Sequence, residues 1–154
     1  MKKFLPLLCL MALLQGTVHA QKYKTAADTI KLNTAYAKLE KSIAALNVKL
    51  LNAQNDLPAY QAKAKDAQAD AASAANASSE QADKANNGKV KDAKKAKRRA
   101  KKAYGEAKDS RTADNKLKNL ESDISKYQKE LSKDQQKLAE LEAMRAAIRT
   151  QGNY

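Results

Sequence analysis

From Leu32 onward the apolar positions of the chain run Leu32, Tyr36, Leu39, Ile43, Leu46, Leu50, Ala53, Leu57, Tyr60, Ala64, Ala67, Ala71, Ala74, in steps that alternate four and three. That alternation holds one stripe of a helix toward one partner and is the heptad signature of a coiled coil. A second series, Leu117, Leu120, Ile124, Tyr127, Leu131, Asp134, Leu138, Leu141, Arg145, Ile148, keeps the spacing with two polar members, Asp134 and Arg145. No window alternates as a strand. Beyond residue 20 the chain holds one proline, Pro58, and three glycines, Gly88, Gly105 and Gly152, so helix is favoured throughout.

Between the two series lies Asn86-Asn87-Gly88, a turn signal whose glycine can take the left-handed conformation that ends a helix. Fold the chain there, with facing positions summing to about 175, and Tyr36 meets Leu138, Ile43 meets Leu131, and Leu50 meets Ile124 or Ser125. The Ala-rich stretch 64–86 then lies on the Ala-rich stretch 89–113. The predicted fold is all-α, a long antiparallel helical hairpin (coiled coil), forming a single helical domain over 21–154. Arm one covers about 26–86, the turn 87–88, and arm two about 89–150. Thr25-Ala26-Ala27-Asp28 resembles a capping box that would start the first helix near Ala26, and Gly152 supplies a stop.

Two irregularities disturb the pattern. Pro58 falls inside the first series, where it removes a backbone bond unless Asp56 caps a new helix. The second series loses phase between Ala107 and Ala113, around Gly105 and Asp109-Ser110. Folded about Gly88 the two defects come together, which predicts a break near Pro58 and Ser110, a joint between a Leu-zippered base and an Ala-packed tip. A mild kink without a role is the plainer alternative. Ala44, Val48 and Leu51 make a second apolar edge on arm one, which either widens the seam or forms a homo-oligomer through the Leu-rich base.

The first twenty residues differ from the rest. Lys2 and Lys3 form a basic start, Phe4 to Leu14 an apolar run, and Val18-His19-Ala20 a small-residue cleavage site, the layout of a secretory signal peptide over 1–20. The run is too short to span a bilayer, so no transmembrane segment is expected in the mature chain. A periplasmic or secreted location follows. Cleavage removes Cys9, His19 and Phe4, the only residues of their types, and with them any disulfide, His/Cys metal site or thiol-imidazole pair. No cofactor and no metal are expected. Losing Lys2 and Lys3 lowers Lys and Arg from 30 to 28 against 17 acids, a net charge of +11. Asn76-Ala77-Ser78 is a glycosylation sequon that matters only on a eukaryotic secretory route, and the acids Asp66 and Asp70 share a helix face without a cleft to shift their protonation. An enzyme is not expected.

The charge concentrates in KVKDAKKAKRRAKK, where Lys89, Lys91, Lys94, Lys95, Lys97, Arg98, Arg99, Lys101 and Lys102 face a single acid, Asp92. In the folded register Glu80 and Asp83 come opposite Lys94/Lys95 and Lys91, an expected partial pairing. The first use for the remaining field is contact with an anionic envelope surface or polymer, without insertion into a membrane, since Val90 and Tyr104 are the only bulky apolar residues nearby. A second is general polyanion or nucleic-acid binding, although no planar residue interleaves for base readout and the signal peptide directs the chain away from nucleic acid. A third is a solvated helical tip whose lysines prevent aggregation. In charge, length and export the chain is similar to the Skp/OmpH class of periplasmic chaperones. That resemblance implies an oligomeric holdase gripping clients between helical arms. The chain departs from the class in having no strand-forming segments beside the hairpin: QKYKTAAD and TQGNY cannot build the small β body of those chaperones.

Overall fold

The computed structural model describes residues 28–151. They form two α-helices, α1 (Thr29–Ala85, 57 residues) and α2 (Val90–Gln151, 62 residues), packed against each other as a helical hairpin, with no strand among the described residues. The signal peptide expected over 1–20, Thr25 to Ala27 of the capping box, Gly152 and the tail lie outside the described residues.

The helices are joined by Asn86 to Lys89, with Gly88 at φ +79°. The Asn86 amide donates to the Ala82 carbonyl at 3.2 Å and the Gly88 amide to the Ala85 carbonyl at 3.2 Å, satisfying the end of α1. Across the turn the Asp92 and Ala93 amides donate to the Lys89 carbonyl at 2.9 and 3.1 Å and start α2.

Among the described residues, 28–40 with 136–151 form one compact unit, and Lys41–Gln135 form another. In the first, Leu32 is only 1 % exposed. Arg145, a polar member of the second apolar series, holds its guanidinium 5.5 Å from the centre of the Tyr36 ring. The Tyr36 hydroxyl donates to Glu142 Oε1 at 3.0 Å. An arginine at a seam position is thus accommodated by stacking on an aromatic face while its stem covers apolar surface. The hydrogen bond to Glu142, then partial burial and the carboxylates nearby, raise the Tyr36 pKa above its ordinary value of 10.0. A raised pKa means the protonated hydroxyl favours the fold: its contribution is whole below the ordinary phenol range and is lost as pH rises through the raised value. Thermal melts of the wild type should fall more steeply between neutral and strongly alkaline pH than those of Tyr36→Phe. Equal slopes would remove the hydroxyl from the account.

In the second unit the covered positions of α1 keep the four-and-three spacing from Leu46 through Ala53, Ala64 and Ala74, and continue to the partly covered Ser78, Gln81 and Ala85. Three of its four buried apolar side chains are alanines, Ala53 at 7 %, Ala64 at 3 % and Ala74 at 8 % exposure. Small side chains let the backbones approach closely enough for methyl groups to be covered. Asp134, the other polar member of the series, accepts a hydrogen bond from Ser42 Oγ at 2.8 Å. Lys49 lies over the Tyr127 ring at 5.9 Å, and Gln68 Nε2 donates to Asp114 Oδ1 at 2.9 Å. Ser42 with Asp134 and Lys49 with Tyr127 each sum to 176, within one of the expected 175, whereas Gln68 reaches Asp114 at a sum of 182. Helical side chains lean toward their own N-terminus, so in an antiparallel pair contact sums one or two above the level one are expected, and the larger excess at Gln68 falls to its long side chain.

The break expected near Pro58 and Ser110 is not there. α1 runs uninterrupted through Pro58 and α2 through Gly105 and Ser110. Pro58 follows the seam residue Leu57 and is exposed, so its ring points away from α2, and the helix gives up one backbone hydrogen bond without losing packing. The lost phase in α2 is also restored: Ala103, Glu106, Ser110 and Ala113 are all at least half-covered and sit three, four and three apart. The heptad continues through polar residues, with Ser110 at 9 % exposure. Pro58→Ala should therefore stabilise, by about 1–3 kcal/mol from restored helix propensity. A midpoint of unfolding unchanged in urea would show instead that the proline already sits at a relaxed bend.

Candidate polyanion interface

Lys89 precedes α2, and the other eight cations of the run occupy its first four turns. The segment is helical because Ala, Lys and Arg are all strong helix formers and because Asp92, Ala96 and Ala103 are partly covered by α1. Asp92 also places a carboxylate in the first turn, where the helix dipole favours it. Other terms oppose the helix. Lys91 with Lys95, Lys94 with Arg98, Lys95 with Arg99, Lys97 with Lys101 and Arg98 with Lys102 are like charges four residues apart, each unfavourable by a few tenths of a kcal/mol. Cations at a helix N-terminus are unfavourable as well.

All nine side chains are exposed. None has a carboxylate within 4.0 Å among the described residues, so the expected pairing of Glu80 with Lys94/Lys95 and of Asp83 with Lys91 does not form. Long exposed side chains lose rotamer freedom on pairing and gain little Coulomb energy in water, which leaves them solvated. The run wraps the outer surface of the helix rather than converging on a point.

Among the described residues a recess touches it. A polar hollow of about 190 Å³ lies between Asp70, Ser73, Arg99, Lys102 and Glu106, with Ala74 and Ala77 at its floor. Asp70 was named from the sequence only as an acid sharing a helix face with Asp66, and Glu106 was not singled out. Their signal was present in the register, since 70 and 106 sum to 176 and meet when the chain is folded about Gly88. With two carboxylates beside two cations the hollow has no net preference for an anion, in contrast to the open surface outside it. Among the described residues no group of three or more His, Cys, Asp or Glu could hold a metal ion, and no helix is long and apolar enough to cross a membrane.

Comparison with known proteins gives no match, whether by family model, curated protein or solved structure.

Proposed function

We propose that this chain is an exported, non-enzymatic coiled-coil binding protein of the periplasm or exterior, whose run Lys89 to Lys102 contacts an anionic component of the cell envelope. The observation that carries the reading is nine exposed cations on and beside one helix, none with a carboxylate within 4.0 Å among the described residues. An anion laid along α2 would relieve the repulsion among these side chains and complement the dipole at its N-terminus, so binding and helix stability should rise together. The covered positions, spaced four and three along both helices, support the coiled-coil reading. The basic start, apolar run and cleavage site of residues 1–20 support export. The mature chain, incubated with vesicles carrying anionic or only zwitterionic lipid, should bind the anionic ones alone and let go as salt approaches molar strength. Equal binding to both, or indifference to salt, would overturn the proposal. A secreted product that still carries residues 1–20 would remove the cleavage.

The proposal includes a homo-oligomer through the Leu-rich part of α1, supported by Val48 and Leu51, which stand 59 % and 57 % exposed. Between Ser42 and Ala62 only Lys49 and Asp56 are charged, so two copies of a strongly cationic chain could meet there without repulsion. Sedimentation should give a mass above one chain that falls to one chain when Val48 and Leu51 become Lys. A monomer at all concentrations rules the oligomer out.

A further inference from the structure

We propose that the face of α2 carrying Val90, Lys94, Lys97, Lys101 and Tyr104 lies flat on an anionic lipid bilayer, its lysines at the headgroup phosphates and its two apolar side chains in the interfacial layer. The inference rests on the reading of the cationic run as an anion-contacting surface and selects a bilayer as its partner.

Val90 and Tyr104 are 73 % and 69 % exposed, among the most exposed large apolar side chains of the described residues, and eight of the nine cations of the run lie between them. They are not on unrelated sides of the helix. The five residues are spaced four, three, four and three, which places them along one stripe of an α-helix, about 21 Å from end to end. Ala93, Ala100 and Ala107, all exposed, flank the stripe on one side, and Lys108 and Arg111 extend it. The acids of this part of α2 lie elsewhere. Asp92 and Glu106 are partly covered at positions facing α1, and Asp109 lies on the opposite flank. The stripe is therefore cationic, free of carboxylates, edged with methyl groups on one side, and carries two bulky apolar side chains two heptads apart.

A soluble polyanion would use only the charges and would leave Val90 and Tyr104 in water. A bilayer uses both. Lysines reach phosphates while their stems lie along the acyl boundary, and tyrosine, with an apolar ring and a polar tip, is suited to the headgroup layer. The apolar content is far below that of a deeply inserted helix, which fits reversible surface contact driven by anionic lipid.

The test uses the mature chain and Val90→Ser/Tyr104→Ser, measured on phosphatidylcholine vesicles with and without phosphatidylglycerol, and separately against inorganic polyphosphate. Both residues are exposed, so the variant should keep the wild-type circular dichroism. The expected result is about tenfold weaker binding to the anionic vesicles with polyphosphate binding unchanged, a loss equivalent to about 1.4 kcal/mol. Unchanged vesicle binding would overturn this inference and leave the broader reading intact, since the charges would then act alone. An equal loss against vesicles and polyphosphate would also overturn it, because the two side chains would then be acting through the helix rather than on lipid. Failure of the wild type to bind either probe would defeat both.

Discussion

Replacing Leu46 with Asp is expected to unfold the Lys41–Gln135 unit at temperatures where the wild type is fully helical. Leu46 is 7 % exposed and belongs to the stripe of α1 that α2 covers. Truncating such a side chain to Ala costs about 2–5 kcal/mol. Asp adds the penalty of a carboxylate taken from water without a partner, several kcal/mol more unless the helices part. Net stabilities of natural domains are about 5–15 kcal/mol, so one substitution of this size removes a large share. Ala45→Asp, one residue away on an exposed position, provides the control and should change stability by only about 0.5 kcal/mol. The measurement is helix content against temperature for the three proteins. If Leu46→Asp and Ala45→Asp melt alike, the side of α1 that packs on α2 has been misassigned.

Changing all nine cations between Lys89 and Lys102 to Gln should abolish binding to an anionic surface while leaving the hairpin folded. A basic residue held near such a surface contributes about 1 kcal/mol at moderate salt. The run wraps the helix, so about half of the nine can face a surface together, which corresponds to about a thousandfold or more in affinity. The fold has little reason to suffer. Gln is nearly as good a helix former as Lys or Arg, and the like-charge pairs four residues apart disappear. The melting temperature should stay level or rise slightly. Envelope fractions or vesicles captured by the Gln variant as well as by the wild type would exclude the run as the contact.

The hairpin, its turn at Gly88 and the register were legible in the sequence because each is set by periodicity, and periodicity survives substitution of one apolar residue for another. The break near Pro58 and Ser110 was misread for a related reason. Glu106 and Ser110 hold seam positions but are polar, so an apolar pattern skips them and loses phase although the geometry does not. The same blindness made Asp134 and Arg145 look like lapses. Each is accommodated by a specific neighbour, Ser42 and Tyr36, that no spacing rule identifies in advance. Pairing of Glu80 and Asp83 with the lysines failed because proximity in register does not overcome solvation of exposed charges. The nine cations could be read directly, since charge is composition. The common stripe of Val90 and Tyr104 needed the helical phase as well, and their separation of fourteen residues, two full heptads, carried it.

The alanines at the consecutive seam positions Ala64, Ala67, Ala71 and Ala74 have a mechanical consequence. Methyl groups make a smooth track: nothing protrudes far enough to catch, and neighbouring seats one heptad apart look alike to the opposing helix. Leucines are cogs by comparison, and a displaced leucine leaves its socket empty. Axial alignment along the alanine track is thus borrowed from the toothed segment around Leu46, much as the fine scale of a vernier is fixed by the coarse one.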